Sequence, residues 1–354
     1  MEKYGQYRDK GSGIAPFFPV PPLPYNPLFL PFYILLLCLR VPLVTVAWIL
    51  WLLIFQWTPA GGALRKANLW CILGIPGVWW IDIQVDGVRR GSLAQTPRGR
   101  LPGPATIIAS SFTSPLDVLY LAAIFDPVFT ISQGPDSRLV RPVSLEAALA
   151  ACFDVHSPAV FHARQPPATL SSVIKQYRNR VIVVFPEATT SNGRGILRLS
   201  PSLLSATRDT KIFPVSLRYT PQDIVTPIPG WMEALRFVWL LNSRPTHCIR
   251  VRIGTPVTLA SAGAPANSHT TGNSNGKRAS GYDTNFFDTL EGSPAPKASE
   301  ESAVAEGVSE QEIKALDAVA DTLARLGRAK RVGLGVAEKK QFVDAWSKRG
   351  KYRT

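Results

Sequence analysis

Charge is scarce in this chain. Asp, Glu, Lys and Arg make up 18% of its 354 residues, against roughly 25% in ordinary soluble domains. What charge there is leans one way, with 39 Lys and Arg against 25 Asp and Glu and a formal net charge of +14. Cysteine is equally sparse. Cys38, Cys71, Cys152 and Cys248 stand far apart with no CxxC pair, which excludes a zinc ribbon and a dense disulfide framework and points to a reducing compartment. Neither His247 nor His269 has ligand-like neighbours, so no metal is implied. No RNA- or DNA-binding motif accompanies the basic excess, and nucleic acid is not an expected partner. A hydrophobic content of 46% and a mean hydropathy of +0.07 exclude a wholly disordered chain.

The charge is unevenly spread. Residues 101–259 carry a net +6 and residues 314–354 a net +7, while residues 260–313 carry −5. The largest apolar run, Leu28–Trp57, contains one charge, Arg40. A straight helix of that length would reach about 45 Å, more than a ~30 Å hydrocarbon core. Arg40 and Pro42 interrupt it near the middle, and both are costly there. Two half-spans, Leu28–Leu39 and Val41–Trp57, therefore predict a helical hairpin with both ends on one side of a membrane. The alternative is a single tilted span from about Val41 to Trp57. A cleaved signal peptide is disfavoured, because the run starts behind a Pro-rich stretch and exceeds the usual ~7–15 apolar residues. A second patch, Asn68–Ile83, is broken by Gly74, Pro76 and Gly77 and puts Trp70, Trp79 and Trp80 at interfacial depth. Arg65, Lys66, Arg89 and Arg90 near these patches point to a cytosolic side under the positive-inside tendency, or equally to an ordinary solvated loop.

Beyond Gln84 the pattern becomes that of an α/β domain. Ala105–Ala109, Val181–Phe185, Ile212–Leu217 and Ile249–Ile253 read as strands, separated by helical patterns at Pro115–Phe125, Leu145–Phe153 and Leu170–Tyr177. That alternation predicts a sheet covered by helices. The expected organisation is a Pro-rich segment (1–27), a membrane-associating segment (28–83), the α/β domain (84–259), a disordered insert (260–308) and a C-terminal helix with a basic tail (309–354). Ser309 and Glu312 have the form of a capping box. The tail, including Lys339, Lys340, Lys348, Arg349, Lys351 and Arg353, is read as a solvated or lipid-contacting end. The stripe Trp231, Leu235, Val238 and Trp239 is read as core, with a membrane-facing helix as the alternative.

Two polar clusters directly follow strands, where α/β sheets expose ligand-binding loops. One is Ser110–Asp117, and the other is Phe185–Arg194. Glu187 stands among the hydroxyls of Thr189, Thr190 and Ser191 with Arg194 close behind, a cradle suited to a polyol phosphate.

Through these blocks the chain resembles the glycerolipid acyltransferases, and more particularly fungal lysophosphatidic acid acyltransferases of the endoplasmic reticulum and lipid droplets. Phe185, Pro186, Glu187 and Thr189 match that family's Phe-Pro-Glu-Gly-Thr motif, with Ala188 at the usual Gly, and Gly193 continues it. Pro214 and Val215 resemble its last motif, and Arg164 in Val160–Arg164 an intermediate one. The resemblance implies a mixed sheet flanked by helices of the glycerol-phosphate acyltransferase kind, with an N-terminal membrane hairpin and the main domain facing the cytosol. It implies acyl-CoA as co-substrate, a lysophospholipid acceptor, membrane lipids as partners and no further cofactor. Glu187, Thr189, Arg194 and Arg164 would then bind substrate. One departure stands out. The family's first motif is His, four residues, then Asp. Asp117 is present, but Phe112 occupies the place of the base that deprotonates the acceptor hydroxyl. Losing a positioned base typically costs about 10²–10⁴-fold in rate. Three readings stay open: activity without that base, another base such as His156 or His162, or a catalytically silent lipid- or acyl-CoA-binding protein.

Overall fold

The computed structural model describes residues 2–24, 26–58, 61–88, 98–154, 166–262 and 309–351. Its centre is a seven-stranded mixed sheet. In chain order the strands are β1 (Val78–Val85), β2 (Ile107–Ser110), β3 (Val128–Ser132), β4 (Val140–Val143), β5 (Ile182–Val184), β7 (Ile212–Thr220) and β8 (His247–Ile253). They lie in the order β1-β8-β7-β2-β5-β3-β4. The core of that sheet, β7-β2-β5-β3, is parallel, and antiparallel pairings join it to β8 on one side and β4 on the other. Ile107, Ile108, Val183, Val184 and Ile212 are all buried, as near-continuous apolar strands covered on both faces should be. A short parallel pair, β6 (Gly195–Ile196) with β9 (Lys330–Arg331), lies apart from it.

Helices cover the sheet: α3 (Pro115–Phe125), α4 (Leu145–Ala150), α5 (Leu170–Gln176), α6 (Trp231–Ser243), α7 (Leu259–Ala262) and α8 (Glu310–Gly327). The helix α3 is apolar all round and buried from Pro115 to Ala123, the pattern of a central helix. The capping box expected before α8 is formed: Ser309 N donates to Glu312 Oε2 at 2.9 Å, and Glu312 N to Ser309 Oγ at 3.4 Å. The strands β1, β3 and β4 were not foreseen. β1 comes from the apolar patch Asn68–Ile83, which divides into a helix, α2 (Ala63–Gly74), and this edge strand. The expected insert lies outside the described residues from position 263 onward, and α7 takes up its first three residues.

The predicted break at Arg40–Pro42 is not found. Leu30–Leu53 is one continuous helix, α1, with Pro42 inside it. An interior proline costs roughly 3 kcal/mol, and contacts made on either side of it offset that loss. Arg40 is buried, and its guanidinium donates to the carbonyls of Asn242 (3.3 Å), Pro245 (2.9 Å) and Arg244 at the end of α6. Further along α1, Trp51 Nε1 donates to Glu146 Oε1 at 2.6 Å and Asn68 of α2 to the Ala47 carbonyl at 3.2 Å. Gly77 (φ +91°) lets the chain pass this junction, where a Cβ would collide with the Pro245 carbonyl. The helix pair is thus α1 with α2, turning after residue 53, and not two halves of Leu28–Trp57.

Among the described residues, α1 with its flanking turns is the one helix long and apolar enough to cross a membrane. Its outer face is bare: Leu35, Leu39, Leu43, Val46, Ile49 and Leu53 are exposed. The stripe on α6 is a correction to the sequence reading. Trp231, Leu235 and Val238 of that stripe face outward, as does Met232, Trp239 is half-buried, and Phe237, Leu240 and Leu241 are the buried side. Both faces of that helix are apolar, so spacing alone could not choose between them. Trp79 and Trp80 of β1 are 65% and 67% exposed.

The basic tail is corrected at one residue, while Lys340 and Lys348 are exposed as expected. Val336–Lys351 forms a helix, α9, and Lys339 is fully buried. Phe342 of α9 packs against Tyr4, Tyr7, Phe17 and Phe18 of the Pro-rich segment, with ring centroids 5.2–6.2 Å apart.

Candidate active site

The polar clusters lie at the C-terminal ends of β2 and β5, next to the end of β7. After β2 the chain turns through Ser111–Ser114 into α3, where Ser114 is the N-cap and Asp117 closes a capping box. Asp117 Oδ2 accepts from Ser114 N (2.9 Å), Thr113 N (2.6 Å) and Thr113 Oγ1 (3.0 Å). Its other oxygen, Oδ1, accepts from the Tyr219 hydroxyl. Asp117 is wholly buried, and burial raises its carboxyl to about 6 against the pull of those hydrogen bonds.

Phe112 takes no part in this network. Its ring stacks on Phe185 at 4.4 Å, and Phe185 stacks in turn on Phe129 at 6.3 Å. The residue at the motif-histidine position is therefore a core side chain. Its backbone still serves the second loop, since the Phe112 carbonyl accepts from Ser191 N at 3.0 Å.

The second loop follows β5. Ala188 sits at φ +53°, a left-handed conformation costly for a residue with a Cβ, and this accounts for the resembled motif having glycine there. Glu187 is buried. Its Oε2 accepts from Leu197 N at 3.4 Å, and its Oε1 has no hydrogen-bond partner among the described residues. Burial pushes Glu187 up to about 8 and pushes Lys339 down to about 7, so both are driven toward their neutral forms. Lys339 reaches in from α9 and donates to the Thr190 carbonyl (2.6 Å) and Thr190 Oγ1 (2.7 Å). Asn192 ties the loop to the N-terminal segment: its backbone N–H donates to the Pro16 carbonyl (2.8 Å), and its Nδ2 donates to those of Ala15 (2.8 Å) and Phe18 (3.0 Å).

Thr113, Asn192, Gly193, Arg194, Leu217, Arg218, Tyr219, Gln222 and Val225 line one cleft. Arg194 is exposed at it, and Arg218 is half-buried. Burial and the nearby Arg252, Arg328 and Arg250 lower the Arg218 guanidinium below its usual value. Arg218 pairs directly across the strands with Arg250, a like-charge arrangement that disfavours folding, though Asp82 bonds Arg250 at 3.2 Å. Such a surface suits an anionic ligand.

The structure brings Asp117, Thr113, Gly193 and Arg194 together around this cleft. Thr189 is buried in the loop, and Glu187 opens instead on a second cavity lined also by Asp136, Arg198, Gly333, Gly335 and Glu338. Phe185 lies in the core, Pro186 accepts from Ser200 N (2.8 Å), and Pro214 pairs with Ala109 in the sheet. Arg164, His156 and His162 lie outside the described residues. Sequence reasoning missed Tyr219, because it ended β7 at Leu217; the alternation Val215, Leu217, Tyr219 carried the signal. It also missed Lys339, for which periodicity gave no warning.

No family model matches the chain. A putative lysophosphatidic acid:oleoyl-CoA acyltransferase of Schizosaccharomyces pombe is 27% identical over 250 residues, which cover 69% of this chain and 81% of that protein. Lysophosphatidic acid:oleoyl-CoA acyltransferase 1 of Saccharomyces cerevisiae is 28% identical over 204 residues, 56% of this chain and 61% of that protein. The human lysophospholipid acyltransferase LPCAT4 is 24% identical over 191 residues, 51% of this chain and 34% of that protein.

Proposed function

We propose, on the premise that this chain is a relative of the glycerolipid acyltransferases, that it transfers an acyl group from acyl-CoA to a lysophospholipid, with lysophosphatidic acid as the acceptor. The observation that carries this reading is the cleft at the ends of β2, β5 and β7, where a buried carboxylate stands behind Thr113 and two arginines. Arg194 and Arg218 supply fixed positive charge for a phosphate monoester. The thioester is already activated, so the protein's work is to place the acceptor hydroxyl against it and to move one proton.

The bare faces of α1 and α6 support a seat on a membrane, since large exposed apolar surfaces mark interaction sites. The two helices are joined through Arg40, so they would enter the interface as one unit. Endoplasmic reticulum or lipid-droplet surface, with the main domain in the cytosol, is the expected location.

Phe112 favours a second reading, a lipid-binding member without catalysis, because its ring is committed to the core. Acyl transfer from labelled oleoyl-CoA to lysophosphatidic acid, measured with purified protein in mixed micelles, separates the two. The transferase reading expects wild-type turnover that Arg194→Ala weakens mainly through KM for the acceptor. Background rates on every lysophospholipid tried would leave the binding protein as the answer.

A further inference from the structure

The network around Asp117 answers the question that Phe112 raises. In the resembled motif the carboxylate bonds to a histidine. Here the oxygen left open by Thr113 and Ser114 is taken by the hydroxyl of Tyr219. Tyr219 is the last inward-facing residue of β7 and lines the cleft together with Thr113 and Arg194. It is therefore both bonded to the buried carboxylate and part of the wall of the cleft. Lys339, the other buried base of the site, directs its ammonium to Thr190 and is not among the residues lining that cleft.

We propose that Tyr219 is the catalytic residue standing in for the motif histidine, relaying the acceptor's proton to Asp117. This rests on the transferase reading above. As the acceptor oxygen bonds to the thioester carbon, its proton passes to the phenol oxygen and the phenol's own proton passes to Asp117 Oδ1. The carbonyl electron pair moves onto oxygen. When the tetrahedral intermediate collapses, the C–S bond breaks, and the CoA thiolate takes a proton from Tyr219 as Asp117 returns its own. The products are the ester and free CoA, and the dyad ends as it began. Burial and the Asp117 charge hold the Tyr219 phenol well above its usual pKa, so a free phenolate is disfavoured and the two transfers are concerted. Asp117, raised to about 6, is ionised at neutral pH and a better proton acceptor than an ordinary carboxylate.

The test is steady-state transfer from oleoyl-CoA to lysophosphatidic acid by the full chain in mixed micelles, with thermal unfolding checked for each variant. Tyr219→Phe should lower kcat at least about 100-fold with KM changed by less than about threefold. Independently of any variant, a proton inventory on the wild type should show two protons in flight, and kcat should fall as pH drops through about 6. Active wild type with Tyr219→Phe within threefold of it, or a linear one-proton inventory, overturns the relay and leaves the transferase reading standing. An inactive wild type overturns both.

Discussion

Two buried carboxylates, Asp117 and Glu187, follow neighbouring parallel strands, and they are held in opposite ways. Asp117 is fixed mostly by residues three and four positions before it, with Tyr219 as its one distant partner. Glu187 takes one backbone N–H from ten residues on, keeps an unpartnered oxygen, and shares its loop with a lysine from α9. Bonds made within a few residues are legible in sequence, and bonds closed by distant chain, such as those of Tyr219 and Lys339, are not.

The contrast is sharpest in what truncation does. Asp117→Ala strips the acceptor from two backbone N–H groups, the Thr113 hydroxyl and a buried phenol and removes half of a capping box. It should cost about 4 kcal/mol of stability in denaturant titration. Glu187→Ala, which leaves one N–H unsatisfied, should cost about 2. Equal losses would break the comparison.

The pH dependence of stability gives the next largest effect. The folded pKa of Asp117, about 6, lies above its unfolded value near 3.8, so the folded state binds more protons across that window. Stability should therefore fall as pH rises from about 4 to 6, by on the order of 3 kcal/mol relative to Asp117→Asn. Chemical denaturation of the two proteins at several pH values measures the difference directly.

Lys339→Ala should cost about 2 kcal/mol, because the Thr190 carbonyl loses its donor and a void opens. Lys339→Met, which fills the space without burying a charge, should come within about 1 kcal/mol of wild type. A Met variant as unstable as the Ala one would mean the ammonium itself holds the loop. The smallest change is Ala188→Gly. Relief of the left-handed strain should raise stability by about 0.5–1 kcal/mol, read as a small upward shift in Tm.

The sequence reading succeeded where the information was local. The strands at β2, β5, β7 and β8 and the helix α3 follow from short-range patterning, and the capping box before α8 is visible as Ser309 and Glu312. It went astray where one residue's setting depends on distant chain. Arg40 looked like a helix breaker because its partners, the carbonyls at the end of α6, lie over 200 positions away. Lys339 looked like a solvated tail for the same reason. The α6 stripe reads as core from sequence because an apolar helix offers two faces, and only the tertiary structure selects the one to bury. Phe112 was recognised as a departure from the motif, but that Tyr219 occupies the vacated oxygen of Asp117 depends on β7 running three residues further than expected.

The bond between Lys339 and Thr190 also sets an order in time. The two residues are 149 positions apart, and at synthesis rates of ~5–20 residues per second that separation is roughly 7–30 s. For that interval a nascent chain has made β5 and its loop but not the lysine that closes it. The apolar helix α1 has by then long since been made. The Thr190 loop is thus the last part of the site to be closed as the chain is made, by a residue on its final helix.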